Sequence, residues 1–293
     1  MKRKIIFSCD DLGINKKTND TILKCLKFGI ASSTSLLVNT PAFRHALNNV
    51  VPIFKNKIGL HLNLTIGKSV LKNKYLPDLI NDKSFFKKKS FFFYMLNFYK
   101  KKNYLRQIYR ELDAQIKKAK KNKILISHID SQEHVHMSPV IFSIFIRLMR
   151  KHKINKIRYV NEKIFLNDFY KNFFFKIYNF NYLKSIIIKI CTLFNKGKFK
   201  SPQKFYSIIN IGIVTKENII KIISNNNLNN KITEISLHPG EIINDKFYKK
   251  YNNNTYMFLK SPNRILEKET LLNKELKNML YVKRYKTISF SEI

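Results

Sequence analysis

The sequence contains only three cysteines, Cys9, Cys25 and Cys191, and no CxxC pair. Their odd number and their spacing exclude a disulfide framework and a zinc ribbon, and they favour a reduced, cytoplasmic compartment. The first apolar run covers residues 5–7 and ends at a serine and two aspartates. We therefore do not expect a secretory signal, because its apolar region would have to be longer.

Several motifs are also missing. Neither GxGxxG nor a Walker A loop occurs, so nucleotide binding has no support. A GxSxG elbow and the signatures of RRM and zinc-finger domains are absent. The apolar stretch 164–192 is interrupted by Asp168, Lys171, Lys176, Lys184 and Lys189. A spanning helix needs about 20 nearly uncharged residues, so we do not expect a transmembrane segment. A lid, a self-association face forming a homodimer, or a membrane-surface contact stays open for this stretch.

Acidic residues are scarce, since 19 Asp and Glu stand against 56 Lys and Arg, a net charge of +37. Glycine and proline are scarce as well, at seven each, while Lys, Asn, Ile and Phe are abundant. That pattern is typical of an AT-rich genome, and it favours compositional drift over a specific nucleic-acid surface. The positive field should still favour anionic ligands and anionic membrane surfaces.

Short β-rich runs alternate with helical stretches along the 293 residues. The runs that predict strands are 4–9, 33–39, 57–64, 123–130, 156–160, 232–238 and 286–291. A helix ended by Gly29 separates the first two runs, and a basic amphipathic helix occupies much of 90–121. This alternation predicts one α/β domain over 1–293 with a mainly parallel sheet, closed or nearly closed into a barrel.

Five predicted strands carry ionisable side chains, most of them at or near the carboxyl end. These residues are Asp10, Asp11, His61, His128, Asp130, Arg158 and His238. Ligands of α/β folds bind where the carboxyl ends of parallel strands meet. Five coincidences are hard to explain by packing, so the sequence predicts one shared site.

Each position also has a structural interpretation. Asp10 and Asp11 could cap the following helix, or one could bind a metal while the other remains free as a base. His61 and His238 could be satisfied core histidines, although polar residues at positions 63 and 65 continue the alternation of His61. His45 and His152 lie on lysine-flanked helical stretches, and we expect both to be solvated.

The stretch "HIDSQEHVH", residues 128–136, holds three histidines. His128 and Asp130 are two apart, as are His134 and His136, so each pair shares a face if the chain is extended. The spacing matches neither zinc fingers nor the HExxH helix. It is moderately specific for a metal site, in which Asp130 could orient a histidine as an outer acceptor.

These residues resemble those of the YdjC-like carbohydrate deacetylases. The resembling segments are "SCDDLGINKKTNDTI", "GIASSTSLLVNTPAF", "IGLHLNLTIGK", "ELDAQIKKAKKNKILISHIDSQEHVHMSP", "IRYVNE" and "EISLHPGE". They span roughly residues 4–163 and 232–241 in the family's order. The resemblance implies a distorted (β/α) barrel with a variable aromatic helical insertion around 164–200. It also implies a metal-dependent hydrolase that removes the acetyl group from an N-acetylated amino sugar, free, oligomeric or lipid-linked.

By the same resemblance, the metal ligands are Asp11, His61 and a second histidine, whose position is taken here by Gln132. An amide is a neutral and harder ligand than imidazole. Either metal affinity falls, or the preference moves toward Mg²⁺ and away from Zn²⁺, Mn²⁺ or Co²⁺, or a nearby histidine such as His134 or His128 substitutes. An impaired site, leaving a carbohydrate-binding protein, is the remaining alternative.

The resemblance further implies the acid–base residues. Asp10 would be the general base and His238 the general acid for the departing amine. Arg158, with Glu162 four residues on, would orient Asp10 or the substrate.

Overall fold

The computed structural model describes residues 3–87, 91–96, 102–162, 180–225 and 231–293. Within these ranges a parallel sheet forms the centre of the molecule, in the order β4-β3-β2-β1-β6-β5 with β7 also paired to β1. The strands are β1 (Arg3–Leu12), β2 (Ser33–Leu36), β3 (Ile58–Leu62), β4 (Ile129–Ser131), β5 (Lys204–Tyr206), β6 (Thr233–Leu237) and β7 (Tyr285–Thr287).

Isolated bridges join both edges of the sheet to the segment 156–162. Ile157 pairs with Ile129 of β4, and Glu162 pairs with Phe205 of β5. The sheet therefore curls into a distorted (β/α) barrel, which confirms the predicted fold class.

The helices cover the outside of this barrel. They are α1 (Lys16–Phe28), α2 (Phe43–Asn49), α3 (Phe91–Leu96), α4 (Lys102–Lys121), α5 (Pro139–His152), α6 (Phe180–Thr192), α7 (Lys216–Asn225), α8 (Lys246–Tyr251), α9 (Asn253–Lys260), α10 (Asn263–Leu272) and α11 (Lys274–Val282). No described helix is both long and apolar enough to cross a membrane.

Helix α1 shows how the local sequence sets an element's bounds. The side chain of Asn15 caps the first turn by accepting from the backbone N–H of Lys17. The helix buries an apolar face that includes Ile22, Cys25 and Leu26. It ends before Gly29, as predicted, where a Cβ atom would lie 2.4 Å from the carbonyl oxygen of Leu271. Only glycine allows α1 and α10 to approach so closely.

The predicted strands are mostly longer than the observed ones. The run 123–130 gives only β4, because pairing with β3 begins near residue 127. The predicted helix over 90–121 is present as α3 and α4, and residues 97–101 lie outside the described ranges. Strand β5 was not predicted, since it follows the loop candidate 195–203 and has only three residues.

The prediction that His152 is solvated is wrong. Its side chain is 8% exposed, and Nε2 lies 2.7 Å from Oδ1 of Asp113 on α4. Lys120 also donates to the carbonyl of His152 at 2.8 Å. The end of α5 is thus fastened to α4 by polar contacts that its lysine-rich sequence does not reveal.

The aromatic insertion predicted around 164–200 is described only in part. Residues 163–179 lie outside the described ranges, and α6 accounts for much of the rest. Its buried face packs in a cluster with Phe91, Met137 and Phe205, beside the chain segment that follows β4.

We expect Gly59→Ala to lower the free energy of unfolding by about 1–3 kcal/mol or more, the usual cost of overpacking a core. An added Cβ would lie 2.1 Å from the ring of His128, which cannot retreat because it stacks on Phe290 at 3.6 Å. Urea denaturation measures the loss. Gly67→Ala, where the nearest atom would be 3.5 Å away, tests the effect of a methyl group in a roomier place, although its positive φ adds strain. Equal stability of Gly59→Ala and the unaltered protein would refute the clash.

Candidate active site

A cavity of about 190 Å³ opens at the carboxyl ends of the strands. Six residues singled out from the sequence line it: Asp10, Asp11, His61, Gln132, His134 and His238. The expected convergence is observed in part: Asp130 and Arg158 contact His61 and Asp10 from outside the cavity, and His128 does not line it.

The two adjacent aspartates differ in their surroundings. Asp11 has φ 69°, a left-handed conformation that aspartate tolerates better than most residues. The register of β1 against β2 shifts between Cys9 and Leu12, where this residue sits. Both carboxylate oxygens of Asp11 are buried and have no hydrogen-bond partner among the described residues. Because a buried carboxylate without a partner is costly, this position calls for a cation.

Asp10, in contrast, is fully engaged. Its two oxygens accept from Nη1 and Nη2 of Arg158 at 2.7 and 2.8 Å. Ser236 donates a further hydrogen bond at 2.8 Å. Burial by itself would raise the pKa of Asp10, but the neighbouring Arg158 and His61 lower it below its usual value. Asp10 is thus an ionised carboxylate in a fixed orientation.

Arg158 is the centre of a buried charge network. Its Nε donates to Glu234 at 2.8 Å, and its Nη1 also lies 2.6 Å from Oδ2 of Asp130. Burial would lower the pKa of Arg158, but Asp10, Asp130 and Glu234 together raise it well above its usual value. The guanidinium thus holds carboxylates from three strands, β1, β4 and β6, in one arrangement.

His61 is oriented by Asp130. Its Nδ1 donates to Oδ1 of Asp130 at 2.8 Å, and Nε2 lies 4.0 Å from Oδ1 of Asp11. Burial would lower the pKa of His61, yet Asp130, Asp10 and Asp11 raise it to about 9. A carboxylate behind a histidine is the usual way to aim the opposite ring nitrogen at a cation. The expected hydrogen bond between Asp130 and a histidine is therefore observed.

The chain after β4 forms a tight turn rather than an extended strand. Glu133 and His134 have φ of 56° and 59°, both left-handed. The extended chain on which a shared face of His134 and His136 depended is therefore absent. Their rings meet edge to face with centroids 6.3 Å apart, but of the two it is His134 that lines the cavity. His136 turns away from the cavity toward the hydroxyl of Ser131 and the carbonyl of Arg158.

Gln132 and His134 face the cavity from this turn. Oε1 of Gln132 and Nδ1 of His134 are buried and lack a hydrogen-bond partner among the described residues. Burial, with Lys184 and Arg158 nearby, lowers the pKa of His134 well below its usual value. Both side chains therefore offer a free lone pair.

His128 lies outside the cavity but on the same side of the sheet as Asp130, since Oγ of Ser35 contacts both side chains. Its ring stacks on Phe290, and its nitrogens lie 2.9 and 3.3 Å from the hydroxyls of Ser127 and Ser35. Burial lowers its pKa to about 3. His128 is therefore a core residue with its hydrogen bonds satisfied.

His238 enters the cavity from the end of β6. Its backbone N–H donates to Glu267 of α10, and its Nε2 lies 3.8 Å from Oδ2 of Asp10. The centroid of its ring lies 5.7 Å from that of Phe258, and the two rings are nearly perpendicular. The imidazole thus stands beside the carboxylate of Asp10 at one wall of the cavity.

Sequence reasoning missed four residues of this site: Glu234, Ser236, Glu267 and Lys184. A signal for the first two was present, because positions 234, 236 and 238 alternate along β6 and share one face. Nothing in the local sequence distinguishes Glu267 or Lys184, which reach the site from α10 and α6.

Three buried residues could hold a metal ion by proximity alone. One donor atom each from Asp10, His61 and Asp130 lie within 4.8 Å of one another. The partnerless oxygens of Asp11 and Gln132 adjoin the same cavity. The residues present thus fit a divalent cation, on oxygen and imidazole donors.

Comparisons with known proteins find relatives that match nearly the whole chain. A family model described as YdjC-like protein matches residues 4–281. Proteins named carbohydrate deacetylase from Clostridium beijerinckii and Listeria welshimeri are 28% and 29% identical over 99% of this chain and 100% of their own length. One from Vibrio cholerae is 30% identical over 52% of this chain and 57% of that protein.

A solved structure shares the fold. It is that of an Enterococcus faecalis V583 protein whose proposed role is cellobiose-phosphate cleavage. The two chains superpose with a TM-score of 0.71 at 20% identity, over 100% of this chain and 99% of the other.

Proposed function

The chain belongs to the YdjC-like family, and from that membership and the cavity we propose that it is a metal-dependent deacetylase. Its substrate would be an N-acetylated amino sugar or oligosaccharide, from which it releases acetate, as the names of its full-length relatives suggest. The observation that carries the proposal is the buried carboxylate of Asp11, which has no hydrogen-bond partner among the described residues. It adjoins an oriented histidine and a second carboxylate already neutralised by arginine.

We assign the metal to Asp11, Nε2 of His61 and Oε1 of Gln132, with His134 as the neighbouring donor. The alternative group of Asp10, His61 and Asp130 is closer together, but its carboxylates already accept from arginine, serine and histidine. A cation bound there would have to displace those donors. The oxygens of Asp11 accept no hydrogen bond from the described residues, so a cation can bind them without displacing any donor. The two oxygen donors suit Mg²⁺, whereas the imidazole suits Zn²⁺; Mn²⁺ and Co²⁺ are the other metals to be tested.

When bound, the cation would polarise the acetamide carbonyl and lower the pKa of the attacking water. Asp10, held by both nitrogens of the arginine fork, accepts the proton of that water. His238, 3.8 Å from Asp10, donates a proton to the departing amine. Ile14, Ile66 and Phe258 line the cavity and limit competing water. The products are acetate and a free amino sugar.

A carbohydrate-binding protein with an impaired site is the second candidate. Gln132 is the one observation in its favour, because the resemblance places a histidine there. The retained Asp10, Asp11, His61 and His238 argue against it, since a site without selection should lose more than one member.

Acetate release from a panel of N-acetylated sugars, assayed with each of the four metals, tests the proposal. Turnover that depends on an added divalent cation is the expected result. If no sugar is deacetylated under any metal while calorimetry still detects sugar binding, the second candidate replaces the first.

We expect Gln132→His to raise Zn²⁺ affinity by about tenfold or more, because even outer contacts of a metal change its affinity by about 10- to 100-fold. Isothermal titration calorimetry measures this without any turnover. Gln132→Ala is the matched control and should weaken every metal. Unchanged affinity in both variants would remove Gln132 from the ligand set and leave His134 as the candidate.

A further inference from the structure

Helix α6 is apolar on two faces, and one of them is exposed. The inner face packs into the protein through Ser185, Ile188 and Cys191. The outer face carries a stripe of large apolar side chains with spacings of three, four and seven residues. The stripe consists of Phe180, Leu183, Ile186 and Ile190 on the helix and of Leu193 and Phe194 directly after it, exposed by 74%, 47%, 39%, 51%, 72% and 63%. A continuous exposed stripe of this kind marks an interaction surface.

The charges around the stripe have a single sign. Residues 180–200 contain five lysines and no aspartate or glutamate. Lys189, Lys196, Lys198 and Lys200 are exposed and stand beside or beyond the stripe. The stripe and these lysines, together called the α6 surface, thus combine apolar and cationic groups with no carboxylate in residues 180–200.

We propose that the α6 surface docks on an anionic phospholipid bilayer, with the helix lying in the plane of the interface. Leu183, Ile190 and Phe194 would enter the boundary between headgroups and acyl chains, and the lysines would contact phosphates. The net charge of +37 adds a long-range attraction to such a surface.

A second copy of the chain is a poorer occupant. Two α6 surfaces brought face to face would place eight lysines around the interface, with no carboxylate in residues 180–200 of either copy to neutralise them. An anionic bilayer supplies the missing countercharge. The helix of 13 residues is too short to span, which agrees with a peripheral contact.

The position of α6 connects this surface to the cavity. Lys184, on the same helix, lines the cavity, and its Nζ lies 5.0 Å from the ring centroid of Phe91. The hydroxyl of Tyr159 donates to the carbonyl of Thr192 at 2.8 Å and fastens the end of the helix. Docking through the outer face would therefore bring the wall of the cavity to the membrane.

Co-sedimentation with vesicles tests the proposal in the absence of any substrate, so that the result does not depend on the catalytic assignment. The full chain is mixed with phosphatidylcholine vesicles or with vesicles containing about one-third phosphatidylglycerol. Binding to the anionic vesicles is expected, and it should weaken between about 0.1 M and about 0.5 M NaCl.

Leu183→Gln/Ile190→Gln should lower the vesicle partition coefficient by about tenfold or more, because both side chains would contribute apolar burial. Lys196→Glu/Lys198→Glu should lower it by at least about fivefold per lysine. Tyr281→Gln/Val282→Gln is the matched control, since it removes two apolar side chains that are 83% and 76% exposed on α11. All variants should keep the thermal unfolding midpoint of the unaltered protein, because the altered side chains are exposed.

Three outcomes would overturn the proposal. The first is no binding to anionic vesicles. The second is equal binding by the Leu183→Gln/Ile190→Gln variant and its α11 control. The third is a dimer in analytical ultracentrifugation that this variant dissociates, without vesicle binding by the unaltered protein, which would assign the α6 surface to a second copy.

Discussion

Replacing Asp10 with asparagine should lower kcat by between about 10²- and 10⁴-fold, the usual contribution of a positioned acid–base group. The amide keeps the size of the carboxylate but cannot take a proton from water. Arg158 would still be held by Asp130 and Glu234, so the chain should fold. Metal binding should persist as well, because Asp11 and His61 are unchanged.

Steady-state acetate release measures this loss, and calorimetry checks the bound metal. Ser236→Ala is the control, since it removes one hydrogen bond from Asp10 without removing the carboxylate. A variant Asp10→Asn that keeps kcat within about tenfold of the unaltered enzyme would contradict the assignment of Asp10 as the base.

Replacing Arg158 with methionine should have the largest effect on stability, a loss of about 3–5 kcal/mol in the free energy of unfolding. The arginine is fully buried and is the shared partner of Asp10, Asp130 and Glu234. Methionine fills much of the volume but leaves those carboxylates near one another in a dry interior. Against a typical total of about 5–15 kcal/mol, such a loss is severe.

Denaturant unfolding measures the effect, and two further variants keep the test informative if Arg158→Met does not fold. Arg158→Lys retains the charge but not the planar fork, so it should recover only part of the stability. Arg158→Met/Glu234→Gln should lose less than the sum of the single changes, because the two residues interact directly. Strict additivity would show that Glu234 is not stabilised by the arginine.

The pKa of Glu234 also shows how the buried carboxylates depend on Arg158. Burial raises its pKa to about 8, although Arg158 opposes that shift. Without the arginine, the pKa of Glu234 would rise further, while Asp10 would lose the cation that keeps it ionised. The charge of Asp10, the proposed base, therefore depends on a network whose members come from separate strands.

Much of the fold could be predicted because the long apolar strands and the helix-ending Gly29 have clear local signals. Strand β5 could not be, since three residues give no periodicity and its burial depends on contacts with Glu162 and β6. For the site, positions at strand ends indicated Asp10, Asp11, His61 and His238. Their locations were foreseeable because parallel strands align their carboxyl ends.

The contacts between those residues were harder to predict from the sequence than their locations. The turn after β4 takes two consecutive left-handed residues, and this conformation turns His134 toward the cavity and His136 away from it. The interpretation of the histidine-rich stretch 128–136 as an extended chain therefore does not hold after β4. Glu267 and Lys184 reach the cavity from helices whose docking depends on the whole barrel.

Strand β1 pairs with three others, β2, β6 and β7. Opening its hydrogen bonds to solvent requires several strands to part at once, so the amide protons of residues 5–9 should exchange with deuterium only on global unfolding. The short turn that carries Gln132 has fewer such bonds and should exchange through smaller openings. The two aspartates directly follow the residues expected to exchange most slowly, whereas Gln132, the proposed third ligand, lies in a turn with fewer backbone pairings. We therefore expect substitutions at position 132 to cost the barrel little stability.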